Sequence, residues 1–185
     1  MSMKLALTPH PDSRSSAISA IAVEILRSGV SLIDLRYVAT GEVRNLAAAP
    51  PGLIERADEL WRHTCFEAFL WPAGGVPYCE FNFAPSRQWA AYQFEDWRRG
   101  MHPLDGFPAP GIEVSRDPSA FRLDARITLG GVTRLPGNMP WRLAVTAIIE
   151  TTEGEKSYWS LAHPQGKPDF HHADNFALTL PAETS

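Results

Sequence analysis

A chain of 185 residues can bury roughly 70% of its unfolded surface, so it reads as a single domain over residues 1–185 that needs neither metal nor disulfide to hold its core. Hydrophobic residues at 44% and charged residues at 21% exclude global disorder. Seventeen Lys and Arg against 21 Asp and Glu leave a net charge of −4, which excludes a chain-wide nucleic-acid footprint. Sixteen prolines and 13 glycines cut the chain into pieces too short for a helical bundle. No apolar run approaches the ~18 residues of a membrane span. Met1 to Pro11 lacks the apolar stretch of an export signal, so a cytoplasmic protein is expected. Cys65 and Cys79 have no metal-binding spacing and read as free buried thiols.

From the N-terminus onward, runs of six to ten alternating residues are followed by turn signals. The 18–26 segment fits a helix or a strand, and the Ser28-Gly29 dipeptide favours a strand that turns into the 30–39 run. Residues 45–59, with Ala-Pro-Pro-Gly, read as a long surface connection with a short helical turn before Trp61. Further strands are expected at 65–71, 78–83, 89–97, 121–129, 143–149, 158–163 and 176–180. This spacing predicts an all-β antiparallel sandwich, jelly-roll-like, of about ten strands. Its core should include Phe66, Leu70, Phe81, Phe83, Leu123, Ile127 and Val145.

The 65–71 and 78–83 runs carry the most information. Pairing Trp71 with Tyr78 puts Phe66, Ala68, Leu70, Cys79, Phe81 and Phe83 on one face. The other face then collects Glu67, Trp71, Tyr78, Glu80 and Asn82. A slip of one residue would set Glu beside Phe, so the hydrophobic pattern selects this register. Aromatic rings beside carboxylates and an amide suit a sugar, whose C–H faces pack on rings while its hydroxyls hydrogen-bond in plane. A half-solvated sheet face with polar cross-strand pairs would carry the same residues.

The strings Trp61-Arg-His-Thr-Cys-Phe-Glu-Ala-Phe-Leu70, Tyr78-Cys-Glu-Phe-Asn-Phe-Ala-Pro-Ser86 and Tyr158-Trp-Ser-Leu-Ala-His-Pro-Gln-Gly-Lys-Pro-Asp-Phe-His171 resemble the DOMON-like family of bacterial proteins. That family is similar to family 9 carbohydrate-binding modules and to haem- or sugar-binding DOMON domains. The resemblance implies a jelly-roll-like sandwich that binds a small ligand on its concave sheet or rim. Trp61 and Glu67 stand where the modules carry a Trp…Val-Glu-x-Phe motif. Where those modules place an acidic pair before that strand, this chain has His63, Thr64 and Cys65. The expected ligand contacts are Trp61 and Trp159 for stacking and Arg62, Glu67, Glu80 and Asn82 for hydroxyls. His163 and His171 are expected at the rim, with Trp71 and Tyr78 ranked behind them. The expected function is a non-enzymatic module for a carbohydrate or sugar-containing metabolite.

Other constellations give alternatives. Haem-binding DOMON relatives use Met and His ligands, for which Met101 with His163 or His171 are the candidates; a protein-interaction module is a third reading. Glu67 and Glu80 could serve as the carboxylate pair of a glycosidase, although phosphate loops and serine elbows are missing from the sequence. His171-His172 with Asp169 and Asp174 is better read as a turn capped by Asp169 than as a metal site, because adjacent residues on an extended chain point apart. Trp97-Arg98-Arg99 is either a solvated strand end or an anion-binding corner.

Overall fold

Period-two alternation becomes twelve strands in the computed structural model, which describes residues 2–13, 17–75 and 77–182. They are β1 (Ser2–Pro9), β2 (Ile18–Ser28), β3 (Leu32–Gly41), β4 (Cys65–Pro72), β5 (Tyr78–Phe83), β6 (Trp89–Phe94), β7 (His102–Pro103), β8 (Gly111–Arg116), β9 (Ala120–Thr128), β10 (Trp141–Glu150), β11 (Lys156–Ser160) and β12 (Leu178–Leu180). The helical content among the described residues is three short 3-10 turns, at Val43–Asn45, Leu60–Arg62 and Ala173–Asn175. No helix there is long and apolar enough to cross a membrane. Val76, in the turn expected between β4 and β5, lies outside the described residues.

The strands make an all-β sandwich, as the sequence spacing predicts, with every strand pair antiparallel. One layer runs β7-β6-β5-β4-β10-β11, with β12 also paired to β10; the other runs β1-β2-β3-β9-β8. The layers are joined through β1, which pairs with β2 along Ser2–Leu7 and then with β11 at Thr8 and Pro9. A strand that changes sheets in this way closes one corner of a sandwich. The ambiguous 18–26 segment is strand. It turns through Gly29, at φ +62, into β3, whose first residue Leu32 pairs with Ser28.

Between the layers lies the main core. Phe66, Ala68, Leu70, Phe81, Phe83, Leu143 and Val145 meet Ile25, Ile33, Tyr37, Phe121, Leu123 and Ile127 there. Phe66 is its wedge, parallel to Phe121 at 5.7 Å and tilted against Tyr37 at 5.2 Å. The Tyr37 hydroxyl donates to the backbone oxygen of Glu67 at 2.6 Å. That bond satisfies a polar tip inside an apolar core and ties the two layers together. At the far end, the buried Arg27 guanidinium sits 3.5 Å from the Trp141 ring and donates to the carbonyls of Gly137 and Pro181. It fixes the segments that lead into β10 and out of β12.

Phe66 is fully buried between two rings, so Phe66→Ala should cost about 3–5 kcal/mol, through lost burial and the residual cavity. Urea denaturation should show this as a lower midpoint at unchanged slope. A loss below about 1 kcal/mol would mean that the ring is not the wedge between the layers.

Candidate functional site

The register expected for the central hairpin is the one observed: Phe69 faces Glu80, Glu67 faces Asn82 and Leu70 faces Cys79. Because side chains alternate along a strand, the β4–β6 and β10–β11 layer has a second face whose rows can be read across the strands. One row runs Ala144, Phe69, Glu80, Tyr92. The next is polar: Ser160, Thr146, Glu67 and Asn82, ending on Ala90. A third carries Tyr158, Ile148 and Cys65. Arg142 and Trp71 are paired beyond the first row, as are Tyr78 and Phe94. The sequence therefore places two carboxyls, an amide and two hydroxyls in the middle of an aromatic surface.

This face is not open to water. Glu67 is 2% exposed, Glu80 5% and Asn82 0%. A second apolar cluster covers them, with Phe69, Tyr78, Tyr92 and Phe94 from the strands and Leu60, Phe170 and Phe176 from the connecting segments. Two open clefts lie elsewhere. One, about 440 Å³, lies between Ala47–Leu60 and Ala84–Gln88. The other, about 650 Å³, lies over the outer face of the β1–β8 layer, beside Arg36, Asp124 and Arg126.

Within the polar row the hydrogen bonds are few. The Thr146 hydroxyl donates to Glu67 Oε2 at 3.1 Å, and the Asn82 amide donates to Glu80 Oε1 at 2.7 Å. Among the described residues, Asn82 Oδ1 is buried without a hydrogen-bond partner. An isolated buried carboxylate is too costly to keep charged and takes up a proton instead. Burial accordingly pushes the Glu67 carboxyl well above its usual range, and repulsion from Glu80 adds to that. Burial also raises Glu80 to about 7, against the pull of its Asn82 hydrogen bond and the Arg98 charge.

Over Glu80 lies His171. Its Nδ1 is 2.7 Å from the Tyr78 hydroxyl, which also accepts the backbone N–H of Arg98. The tautomer that strands no proton has Tyr78 donating to Nδ1, with the ring hydrogen on Nε2, 3.8 Å from Glu80 Oε2. Burial lowers His171 to about 4, helped by the Arg98 charge. The imidazole is therefore neutral at pH 7, and its approach to Glu80 is a polar contact rather than an ion pair. Its ring sits edge-on to Phe69, Phe94 and Tyr78, at 5.1, 5.2 and 5.8 Å. Arg98 forms an ion pair with Asp169, which also accepts the His171 backbone N–H at 3.0 Å. The Asp169 cap expected from sequence is present, and the Arg98 corner is taken by the chain's own carboxylate.

Five of the expected contact residues come together: Glu67, Glu80, Asn82 and His171 on the face, and Trp61 at its edge, packed against Tyr92 with centroids 5.7 Å apart. Three do not. Trp159 points into the main core, where its ring N–H donates to Ser157, because Tyr158 and Ser160 hold the positions facing the polar row. Arg62 is solvent-exposed and pairs with Glu59 at 2.6 Å. His163 binds the Thr8 carbonyl at 2.8 Å and stacks edge-on with His10, at the end of β1. Of the haem candidates, Met101 is 47% exposed, His163 Nε2 meets the Thr8 carbonyl, and both His171 nitrogens face protein groups. Sequence reasoning missed Tyr92, Thr146 and Ser160. Thr146, a lone hydroxyl in the apolar 143–149 run, was the available signal.

With these elements in place, the fold can be compared with solved structures. It is similar to a candidate carbohydrate-binding protein from Bacteroides uniformis, with a TM-score of 0.60 over 94% of this chain and 83% of that one, at 13% identity. Two structures of a family 9 carbohydrate-binding module from Caldicellulosiruptor kristjanssonii superpose less closely. The complex with cellotriose gives a TM-score of 0.49 at 10% identity over 80% of this chain and 67% of that one. The complex with glucose gives 0.48 at 12% identity over 86% and 76%. No family model and no curated protein matches the sequence, so the DOMON-like resemblance rests on the quoted strings alone. At 13% identity the likeness defines the class of fold, a β-sandwich of the kind seen in that Bacteroides protein.

Glu67 holds its proton more tightly folded than unfolded, so folding takes up protons and stability falls as pH rises above about 4.5. Glu80 adds a fall between about 4.5 and about 7, while His171 works the other way, adding stability between about 4 and 6.5. Glu67→Gln keeps the shape and an acceptor for Thr146 but removes the titration. Its melting temperature should exceed the wild type's by more at pH 8 than at pH 5. An equal difference at the two pH values would show that Glu67 is not held protonated.

Proposed function

We propose that this chain is a non-enzymatic small-ligand-binding module whose ligand is a carbohydrate or a sugar-containing metabolite. The observation that carries this reading is a group of polar side chains with few partners on the buried face. Two carboxyls and Asn82 Oδ1, which has no hydrogen-bond partner among the described residues, sit there among rings. A sugar supplies the complement. Its hydroxyls both donate and accept, which suits protonated carboxyls and an amide oxygen alike, while its C–H faces pack on Phe69, Tyr78, Tyr92 and Trp61. The fold neighbour from Bacteroides, a candidate carbohydrate-binding protein, supports the same class of ligand. Ligand contacts are assigned to Trp61, Glu67, Glu80 and Asn82, with Tyr78 beside them. Arg62, Trp159 and His163 face elsewhere and have no part in this reading.

The test is a thermal-shift and tryptophan-fluorescence screen against monosaccharides, sugar nucleotides and cell-wall precursors. A bound sugar should raise the melting temperature and change the Trp61 emission. Trp61→Ala should then weaken binding by about 1–3 kcal/mol, as for aromatic stacking on flat ligand faces, and Glu80→Gln should weaken it without unfolding the protein. A folded protein that responds to no sugar in the screen contradicts the proposal.

A further inference from the structure

The candidate face is covered by a segment with few of the features that hold the rest of the molecule. Between His163, anchored on the Thr8 carbonyl, and Asn175, whose side chain meets the Ser160 hydroxyl at 3.2 Å, residues 164–173 contain no strand. Phe170 is the one buried residue of these ten. Gly166 has φ +100, and Pro164 and Pro168 flank it. Segments with little buried apolar surface and few backbone ladder bonds open locally, at far lower cost than global unfolding. Besides Phe170 and the ring contacts of His171, what holds this one down is polar: the Arg98–Asp169 pair, the Asn175 amide on the Asp169 carbonyl, and the bond between Tyr78 and His171.

We infer that residues 164–173 are a lid, and that the His171 imidazole occupies from within the chain the subsite that receives the hydroxylated ring of the ligand. The pocket around that imidazole has Phe69, Tyr78 and Phe94 as walls and Glu80 below. Its chemistry is a flat aromatic surround with a hydroxyl at one edge and a carboxyl at the other. It accepts a planar or nearly planar ring with polar edges, as the neutral imidazole does here, bonded to Tyr78 at 2.7 Å and 3.8 Å from Glu80. A sugar ring has the same combination of apolar faces and polar rim. The identity of the ligand rests on the carbohydrate reading; the movement of the lid does not.

The two cysteines make that movement measurable without any ligand. Cys65 lies on the covered face, in the cluster that contains Phe170 and Phe176, whereas Cys79 lies in the main core between the layers. Lifting the lid takes Phe170 out of the cluster that buries Cys65, whereas exposing Cys79 requires the sandwich to come apart. Maleimide labelling of the full chain, followed residue by residue by mass spectrometry, should modify Cys65 at least about tenfold faster than Cys79. Arg98→Asn removes the latch while keeping a residue that tolerates the φ of 55 found there. It should speed Cys65 labelling several-fold and leave Cys79 unchanged. Asp169→Asn provides the same test if Arg98→Asn does not fold. Equal rates for the two thiols, or a Cys65 rate indifferent to the latch, would overturn the lid.

The subsite has its own probe. His171→Ala should leave a pocket that free imidazole fills, raising the melting temperature of the variant and not that of the wild type. Absence of such rescue in a folded variant would remove His171 as an internal occupant. If the lid opens and imidazole binds but no sugar does, the carbohydrate reading fails and the lid stands. If sugars bind and the thiols react together, the reverse holds.

Discussion

Two carboxyl groups buried on neighbouring strands, with no cation beside them, set the conditions that the rest of the covered face has to meet. Glu67 and Glu80 lie one row apart on β4 and β5, among rings. Keeping both charged would cost several kcal/mol per carboxylate, a large share of a typical domain's margin of stability. The face meets this constraint by protonation and by hydrogen bonds from Thr146 to Glu67 and from Asn82 to Glu80, with the neutral His171 ring 3.8 Å above Glu80. Arg98 acts at a distance on Glu80 while its own partner is Asp169. The cations at the edge of the face are held by other groups, Arg98 by Asp169 and Arg142 by the Phe176 carbonyl and the Trp71 ring.

The same layer serves two interiors. Phe66, Ala68, Leu70 and their cross-strand partners close the main core, and the residues between them build the covered face. This double burial explains why β10 is buried along almost its whole length, with Thr146 as a single polar break. A strand exposed on one side alternates apolar and polar residues; one buried on both sides has no polar side to show. The division also sets the consequences of change. Alterations on the inner face act on the sandwich as a whole, while those on the outer face act on proton uptake and on the segment that covers it.

Much of this was legible in the residues. The hairpin register followed from the cost of placing Glu67 or Glu80 beside Phe66 and Phe81, and it held through β10 and β6. The sandwich followed from repeated alternation, although β1 and β8 went unread because Met3, Leu5 and Leu7, and Ile112 and Val114, alternate too briefly to stand alone. Trp159 could not be placed by parity. In Tyr158-Trp159 an aromatic residue occupies either face, and only the pairing of Ser160 with Thr146 decides between them. Of the cover over Glu80, only His171 at the rim and the Asp169 cap were legible. The cover depends on a strandless segment about ninety residues downstream, whose position is set by the ion pair and caps around Asp169 rather than by any period in the sequence.

The central claim, that the candidate face holds its carboxyls buried and so raises their affinity for protons until it is opened, can be read directly from the side chains themselves. Carbon-13 NMR titration of the glutamate carboxyls, with Glu67 and Glu80 assigned by single substitution, measures each proton affinity in the folded chain. The account predicts that Glu80 titrates near 7 and Glu67 well above the ordinary carboxylate range. Ordinary values near 4.5 for both would contradict it, and would mean that water already reaches the face.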